Sequence, residues 1–448
     1  MVDLFSKYTK TVERTEPIKI SGRIVRVQGL LIESDGPQAV VGEICRIHIG
    51  QKEVPVLAEV VGLQGRTVQL MPFEEVNGIE IGCKVTATGE FLEIPVSNAL
   101  LGRVLDGLGR SLDGGPDPGS SIYYPVVNTP PPAMQRRPID QKISTGVRAI
   151  DGLIPLGKGQ RLGIFAGSGV GKSTLLGMIA RNTNADVNVV ALIGERGREV
   201  REFIENELGP EGLKRSVIIV STGDTPPLAR LRGAYTATAI AEYFRDQGKD
   251  VMLMFDSVTR FANAQREIGL AIGEPPATRG YTPSVFSMLP KLLERCGTSE
   301  KGTITGLYTI LVDGDDMEEP ISDAVRGILD GHMVLSRKLA EQYHYPAIDV
   351  LKSVSRLANK IMSPQARDAY SSVRKTLAIY NEAEDLINAG AYSRGANPEL
   401  DVAIGKMGAI KKFLQQKVEE PSDSMETLTR LMTLAGLAEA PVTTVRKK

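Results

Sequence analysis

Residues 162–180 read LGIFAGSGVGKSTLLGMIA: an apolar run, a glycine-rich loop and a helix-forming run in direct succession. That order is the context a phosphate-binding P-loop requires. Its glycines let successive backbone N–H groups turn inward around phosphate oxygens, and the positive end of the following helix reinforces them. In such a loop Gly167, Ser168, Gly169, Val170, Gly171, Lys172, Ser173 and Thr174 line the triphosphate of ATP. Lys172 would neutralise the β- and γ-phosphates, and Ser173 would give its hydroxyl to Mg²⁺. The strict pattern has glycine where Ala166 stands; alanine is small and ends the strand, so no loss is expected.

Further along, the apolar runs VNVVALIG (187–194), SVIIVST (216–222), VMLMFD (251–256) and TGLYTILVD (305–313) alternate with helical stretches. Continuous apolar strands separated by helices predict a parallel sheet covered on both faces, hence an α/β core. Ligands of such sheets bind beyond the carboxyl ends of the strands. Asp256 closes one of those strands and suits a second Mg²⁺ anchor, direct or through water; capping the next helix is its plainer use. Glu195, in IGERGREV (193–200), ends another strand. A carboxylate there can polarise a water for in-line attack on the γ-phosphorus. Arg196 follows it, with a surface Glu-Arg cluster as the alternative. Arg260, four residues past Asp256, is placed to reach the γ-phosphate or to stay at the surface.

A P-loop fold commonly needs a cation supplied at the transition state, worth about 10³–10⁵ in rate. Arg356, in SVSRLANK (353–360), is a candidate, though a lone arginine there also fits a surface role. Tyr345, in HYPAID (344–349), offers a ring face to adenine or packs in the core.

Upstream, RIVRV (23–27), LLIES (30–34), EICRIHI (43–49), EVPVLAEVVGL (53–63), RTVQLMPF (66–73) and KVTATGEFLEI (84–94) are short and rich in branched residues, mostly separated by glycine turns. They predict a small closed β-barrel. The Gly/Pro-punctuated connector 96–138 is too long for an idle loop and should wrap the next domain. Beyond about Ile361, Val373, Leu377, Tyr380 and Ile387 repeat at helical spacing. Leu4, Phe5, Tyr8 and Val12 would line one side of a short helix over 3–14, either a docking peptide or a frayed end. The division is therefore 1–17 docking segment, 18–95 barrel, 96–360 P-loop core and 361–448 helical domain.

The chain has 448 residues, with Lys+Arg 53 against Asp+Glu 54, so its bulk charge of −1 does not advertise a nucleic-acid binder. Three scattered cysteines without a C-x-x-C argue against a disulfide framework or zinc site and fit a reducing cytosol. The three histidines lack metal-ligand spacing. The first residues carry charges throughout, without the apolar stretch of a signal peptide. The long uncharged stretch 118–135 holds five prolines, which exclude a membrane span. A soluble, cytoplasmic protein is expected.

LLGRVLDGLGRSLDGGP (100–116), TGVRAIDGLIPLGKGQR (145–161), AGSGVGKST (166–174), GERGREV (194–200) and the strand ending at Asp256 resemble the catalytic subunits of the hexameric rotary ATPase family. GEPPATRGYTPSVFSMLPKLLERCG (273–297) and the segment 312–350 look more like its protein-export branch, the ATPases of type III export. Within that branch DAVRGILDGH (323–332) looks closer to the flagellar enzymes than to the injectisome ones. Thr282 departs from the branch, which usually has proline there, and no altered chemistry follows from it.

The resemblance implies an N-terminal barrel, a RecA-like core, helical C-terminal domain and a homohexamer with sites at subunit interfaces. It carries phosphate and metal roles to Gly171, Lys172 and Ser173, water activation to Glu195, metal binding to Asp256 and the interface arginine to Arg356. It also implies a stator-like regulator on the N-terminal segment, a coiled-coil stalk, export chaperones and a membrane export gate, with peripheral contact at the inner membrane. An injectisome ATPase is the nearest alternative. A non-hydrolysing regulatory ring subunit would lack Glu195. A ring-shaped RNA translocase would want basic residues and stacking aromatics on the barrel, whereas aromatics are only 5% of the chain and residues 18–95 carry mixed charge.

Overall fold

The computed structural model describes residues 21–50, 54–116, 119–312, 314 and 316–437. The expected helix over 3–14 and the docking segment 1–17 lie outside them. Six strands, β1 (Ser21–Gln28), β2 (Leu31–Asp35), β3 (Glu43–His48), β4 (Val56–Gln64), β5 (Thr67–Pro72) and β6 (Lys84–Phe91), close into a barrel in the order β1-β2-β5-β4-β3-β6. Alternation sends Ile24, Ile32, Ile47, Val60, Leu70 and Val85 inside, where they pack on one another. The β1–β2 hairpin turns at Gly29, whose φ of +58° favours a residue without a β-carbon.

The central sheet contains β7 (Val104–Asp106), β8 (Arg161–Ala166), β9 (Val187–Ile193), β10 (Ser216–Ser221), β11 (Asp250–Asp256), β12 (Thr303–Leu311), β13 (Gly331–Leu335) and β14 (Ile348–Ser355). Their order is β14-β13-β8-β12-β11-β9-β10-β7. The five apolar runs read from the sequence are its middle, parallel as expected. Two features go beyond that expectation. The connector contributes β7 as a parallel edge, and β14 runs antiparallel to β13 at the other edge. The helices that matter for the site are α1 (Lys172–Asn182), α2 (Pro227–Asp246) and α3 (Val258–Ala271); α4 (Pro283–Leu293) packs on α3. Three helices, α5 (Pro364–Asn388), α6 (Pro398–Leu414) and α7 (Ser424–Ala435), form the C-terminal domain.

The connector wraps the core as its length required. Tyr124 donates to Asp246 at 3.1 Å and Asn128 to Glu242 at 3.2 Å. Glu242 is also gripped by Arg295 through two bonds of 2.9 and 2.7 Å, and Arg295 donates to the Val126 carbonyl at 2.8 Å. Both side chains are almost wholly buried, at 0% and 1% exposure. A buried pair of this kind costs desolvation, but removing one partner strands the other charge. Arg295→Met should therefore destabilise the fold by about 3–5 kcal/mol, and adding Glu242→Leu should recover most of that loss. Thermal unfolding of the single and double variants checks both halves of the expectation.

The barrel is fixed to the core by a second such pair. Arg232 on α2 donates from Nε to Glu59 on β4 at 2.7 Å, and its terminal nitrogen also contacts Glu59. Among the described residues no helix is long and apolar enough to cross a membrane.

Candidate active site

The P-loop leaves the end of β8 and enters α1. Gly171 caps the helix with φ +90° and no side-chain cap bond, so the first N–H groups of α1 keep their capacity to bind an anion. Gly167 and Val170 are buried, whereas Ser168, Gly169 and Ser173 are exposed on the loop's open side. Thr174, expected among the phosphate ligands, gives its hydroxyl to Glu207 at 2.7 Å.

Lys172 lies between two carboxylates, 2.5 Å from Asp256 and 3.4 Å from Glu195. Parallel pairing explains the meeting, because β8, β9 and β11 all end at the same edge of the sheet. Burial alone would lower the Lys172 ammonium, but Asp256 and then Glu195 outweigh it and hold it raised. Burial, followed by repulsion from Asp256, pushes Glu195 up to about 7. Asp256 Oδ1 also accepts from the Thr309 hydroxyl at 2.7 Å, a partner not singled out in the sequence because it sits within an apolar strand.

Ser173 and Asp256 supply hard oxygen donors, the chemistry Mg²⁺ prefers. No cluster of three or more His, Cys, Asp or Glu side chains suited to a metal occurs among the described residues. Two protein oxygens, with the remainder from phosphates and water, fit Mg²⁺ better than a dedicated cage.

Arg260 belongs to the same edge. Its side-chain stem crosses Gly194, where an added β-carbon would stand 2.7 Å from it, and its Nε is buried without a hydrogen-bond partner. Arg196 points away: its side chain is 75% exposed and pairs with Glu199 at 3.5 Å, the arrangement of a surface cluster. Tyr345 precedes β14 and lays its ring beside the P-loop, 3.5 Å from where a β-carbon on Gly171 would be. It lines a cavity of about 690 Å³ with Leu175, Met178, Gln416 and Glu420.

Arg356 follows β14 at its far end. Its N–H donates to the Asp330 carbonyl at 3.0 Å and its guanidinium to the Arg326 carbonyl at 3.2 Å. Asp330 in turn pairs with Arg161 at the start of β8. Eight residues of β14 separate the two ends, on the order of 20 Å at the usual strand rise. Arg356 is thus exposed at the sheet edge opposite its own P-loop.

One set of residues escaped sequence reading altogether. Arg148 donates to the carbonyls of Phe413 and Gln415 at 3.1 and 2.6 Å, while Gln416 accepts from the Arg148 N–H and donates to Gly146, each at 2.8 Å. This clasp joins the C-terminal domain to the segment before the P-loop. Buried polar residues with partners some 270 positions away leave no local sequence signal.

A lysine held by two carboxylates, beyond the glycine loop of a parallel sheet, defines a P-loop nucleoside-triphosphatase. Comparison with known proteins gives the family. Residues 146–355 match the nucleotide-binding domain of the ATP synthase alpha/beta family, residues 24–89 its beta-barrel domain, and residues 362–433 the T3SS EscN ATPase C-terminal domain. The chain belongs to the ATP synthase alpha/beta family, in its group of flagellar and type III secretion ATPases, and is an ATPase. It is 58% identical over 438 residues to the flagellum-specific ATP synthase of Treponema pallidum (strain Nichols), covering 98% of each chain. The structure of the assembled ATPase EscN from the enteropathogenic E. coli type III secretion system is similar, with 46% identity and a TM-score of 0.88 over 92% of this chain and 100% of that one. The same ATPase in complex with its central stalk EscO gives a TM-score of 0.85 at 46% identity, with the same coverage.

Proposed function

We propose that this chain assembles as a homohexamer whose ATP hydrolysis energises flagellar protein export. The observation that carries the reading is the split of the catalytic set: Lys172, Glu195 and Asp256 converge at one sheet edge, and Arg356 is exposed at the other. A site completed by a neighbouring copy needs that division.

In this reading the α1 N–H groups and Lys172 bind the β- and γ-phosphates, and Tyr345 faces the adenine. Ser173 and Asp256 hold Mg²⁺, which neutralises charge on the phosphates. Glu195 orients and polarises the attacking water, Arg260 steadies the γ-phosphate, and Arg356 of the adjoining copy stabilises the charge that develops. The solved complex of EscN with its central stalk supports a stalk partner in the ring, which in this reading is a coiled coil. A stator-like regulator at residues 1–17, export chaperones, the membrane export gate and a peripheral position at the cytoplasmic face of the inner membrane complete the proposal. Identity of 58% to a flagellum-specific enzyme against 46–49% to type III secretion ATPases favours flagellar use over the injectisome.

Deleting the gene tests this assignment. The deleted strain should lose motility and export of flagellar proteins, with restoration by the unmodified gene and none by Glu195→Gln. Normal motility combined with loss of a virulence-type secretion activity would transfer the protein to the injectisome.

A further inference from the structure

A second cavity, of about 440 Å³, adjoins the site, and its walls include Arg260, Asn263, Arg266, Arg279, Tyr281 and Glu319. Arg260, Asn263 and Arg266 fall on one side of α3 by helical spacing. Arg260 serves both places, because its stem crosses Gly194 and its charge bears on Glu195. Its buried Nε has no acceptor.

Arg266 makes no ion pair among the described residues; its guanidinium stacks over Tyr281, 5.2 Å from the ring centre. Asn263 turns its amide oxygen to the Tyr281 hydroxyl at 3.1 Å, which leaves the amide N–H groups as donors. Arg279 is engaged differently, by Glu319 at 2.8 Å and Asp316 at 3.0 Å. Glu319, the carboxylate on this wall among the described residues, is therefore already neutralised. A donor-rich, cationic cavity remains, with one buried guanidinium nitrogen lacking the acceptor it needs.

We propose that this cavity receives the inorganic phosphate released by hydrolysis, holding it between Arg260, Arg266 and the Asn263 amide before it escapes. A tetrahedral oxyanion supplies acceptors for these donors, and Arg260 borders both the cavity and the segment that carries Glu195. The proposal rests on the hydrolytic reading given above.

Calorimetric titration of inorganic phosphate into the full chain carrying Glu195→Gln, saturated with ADP and Mg²⁺, tests it. Adding Arg266→Gln should weaken phosphate binding about tenfold, the loss of one charge-assisted hydrogen bond, and Arg266→Lys should recover part of it. ADP affinity in each variant reports that the chain remains folded. Equal phosphate affinity with and without Arg266, or no phosphate binding to either, overturns the proposal. So does a polyglutamate peptide whose binding, unlike that of phosphate, depends on Arg266, since the cavity would then be a docking point for an acidic partner. Failure of the unmodified chain to hydrolyse ATP would instead remove the underlying reading.

Discussion

Replacing Glu195 with glutamine should leave ATP binding intact and lower turnover by about 10²–10⁴, the usual contribution of a positioned general base. Glutamine keeps the shape of the side chain and removes only its ability to take a proton. The Lys172–Asp256 contact at 2.5 Å survives the change, and losing a negative charge beside the triphosphate cannot weaken binding by repulsion. Fluorescent-nucleotide titration and phosphate release measure the two halves separately. Unchanged turnover would take Glu195 out of the mechanism. In the unmodified chain the same carboxylate should set the acid limb. Held near 7 by burial and by Asp256, it is the base only when ionised, so kcat/KM should fall as the pH drops through that region.

The second large effect concerns Arg356. Arg356→Ala rings should lose about 10³–10⁵ in rate, the range of an arginine supplied across an interface, with little change in nucleotide binding. Position makes a sharper test possible. A chain lacking Arg356 retains its own Lys172 and Glu195, and a Glu195→Gln chain retains an intact Arg356. Mixing the two inactive proteins should restore activity at interfaces where the first chain binds ATP and the second lends its arginine. If the mixture stays inactive under conditions where rings form, donation between copies fails. If Arg356→Ala alone stays active, the residue has no part in the chemistry.

The barrel and the five central strands were legible because they are either glycine-bounded and β-branched or uniformly apolar. The missing strands break those patterns for physical reasons. β7 is three residues long, among glycines. β13 and β14 are only partly covered, so His332, Asp349 and Lys352 interrupt the apolar run at positions that are not buried. Of the site, Lys172, Asp256 and Glu195 were readable because loop and strand-end positions converge in any parallel sheet. Arg196 was not, since neighbouring residues at a strand end point to opposite sides, and its chain position said nothing of which side faces the pocket. The division between Tyr345 and Arg356 depends on the antiparallel course of β14. Sequence spacing alone does not reveal that direction.

The clasp between Arg148 and the 413–420 segment has a bearing on substrate choice. Gln416 and Glu420 belong to the cap region, yet they wall the hollow over which the Tyr345 ring stands. The sheet alone would grip any nucleoside triphosphate by its tail. In the proposed reading, selection of the base then draws on residues beyond 400 as well as on Tyr345, while the phosphate grip stays with the sheet.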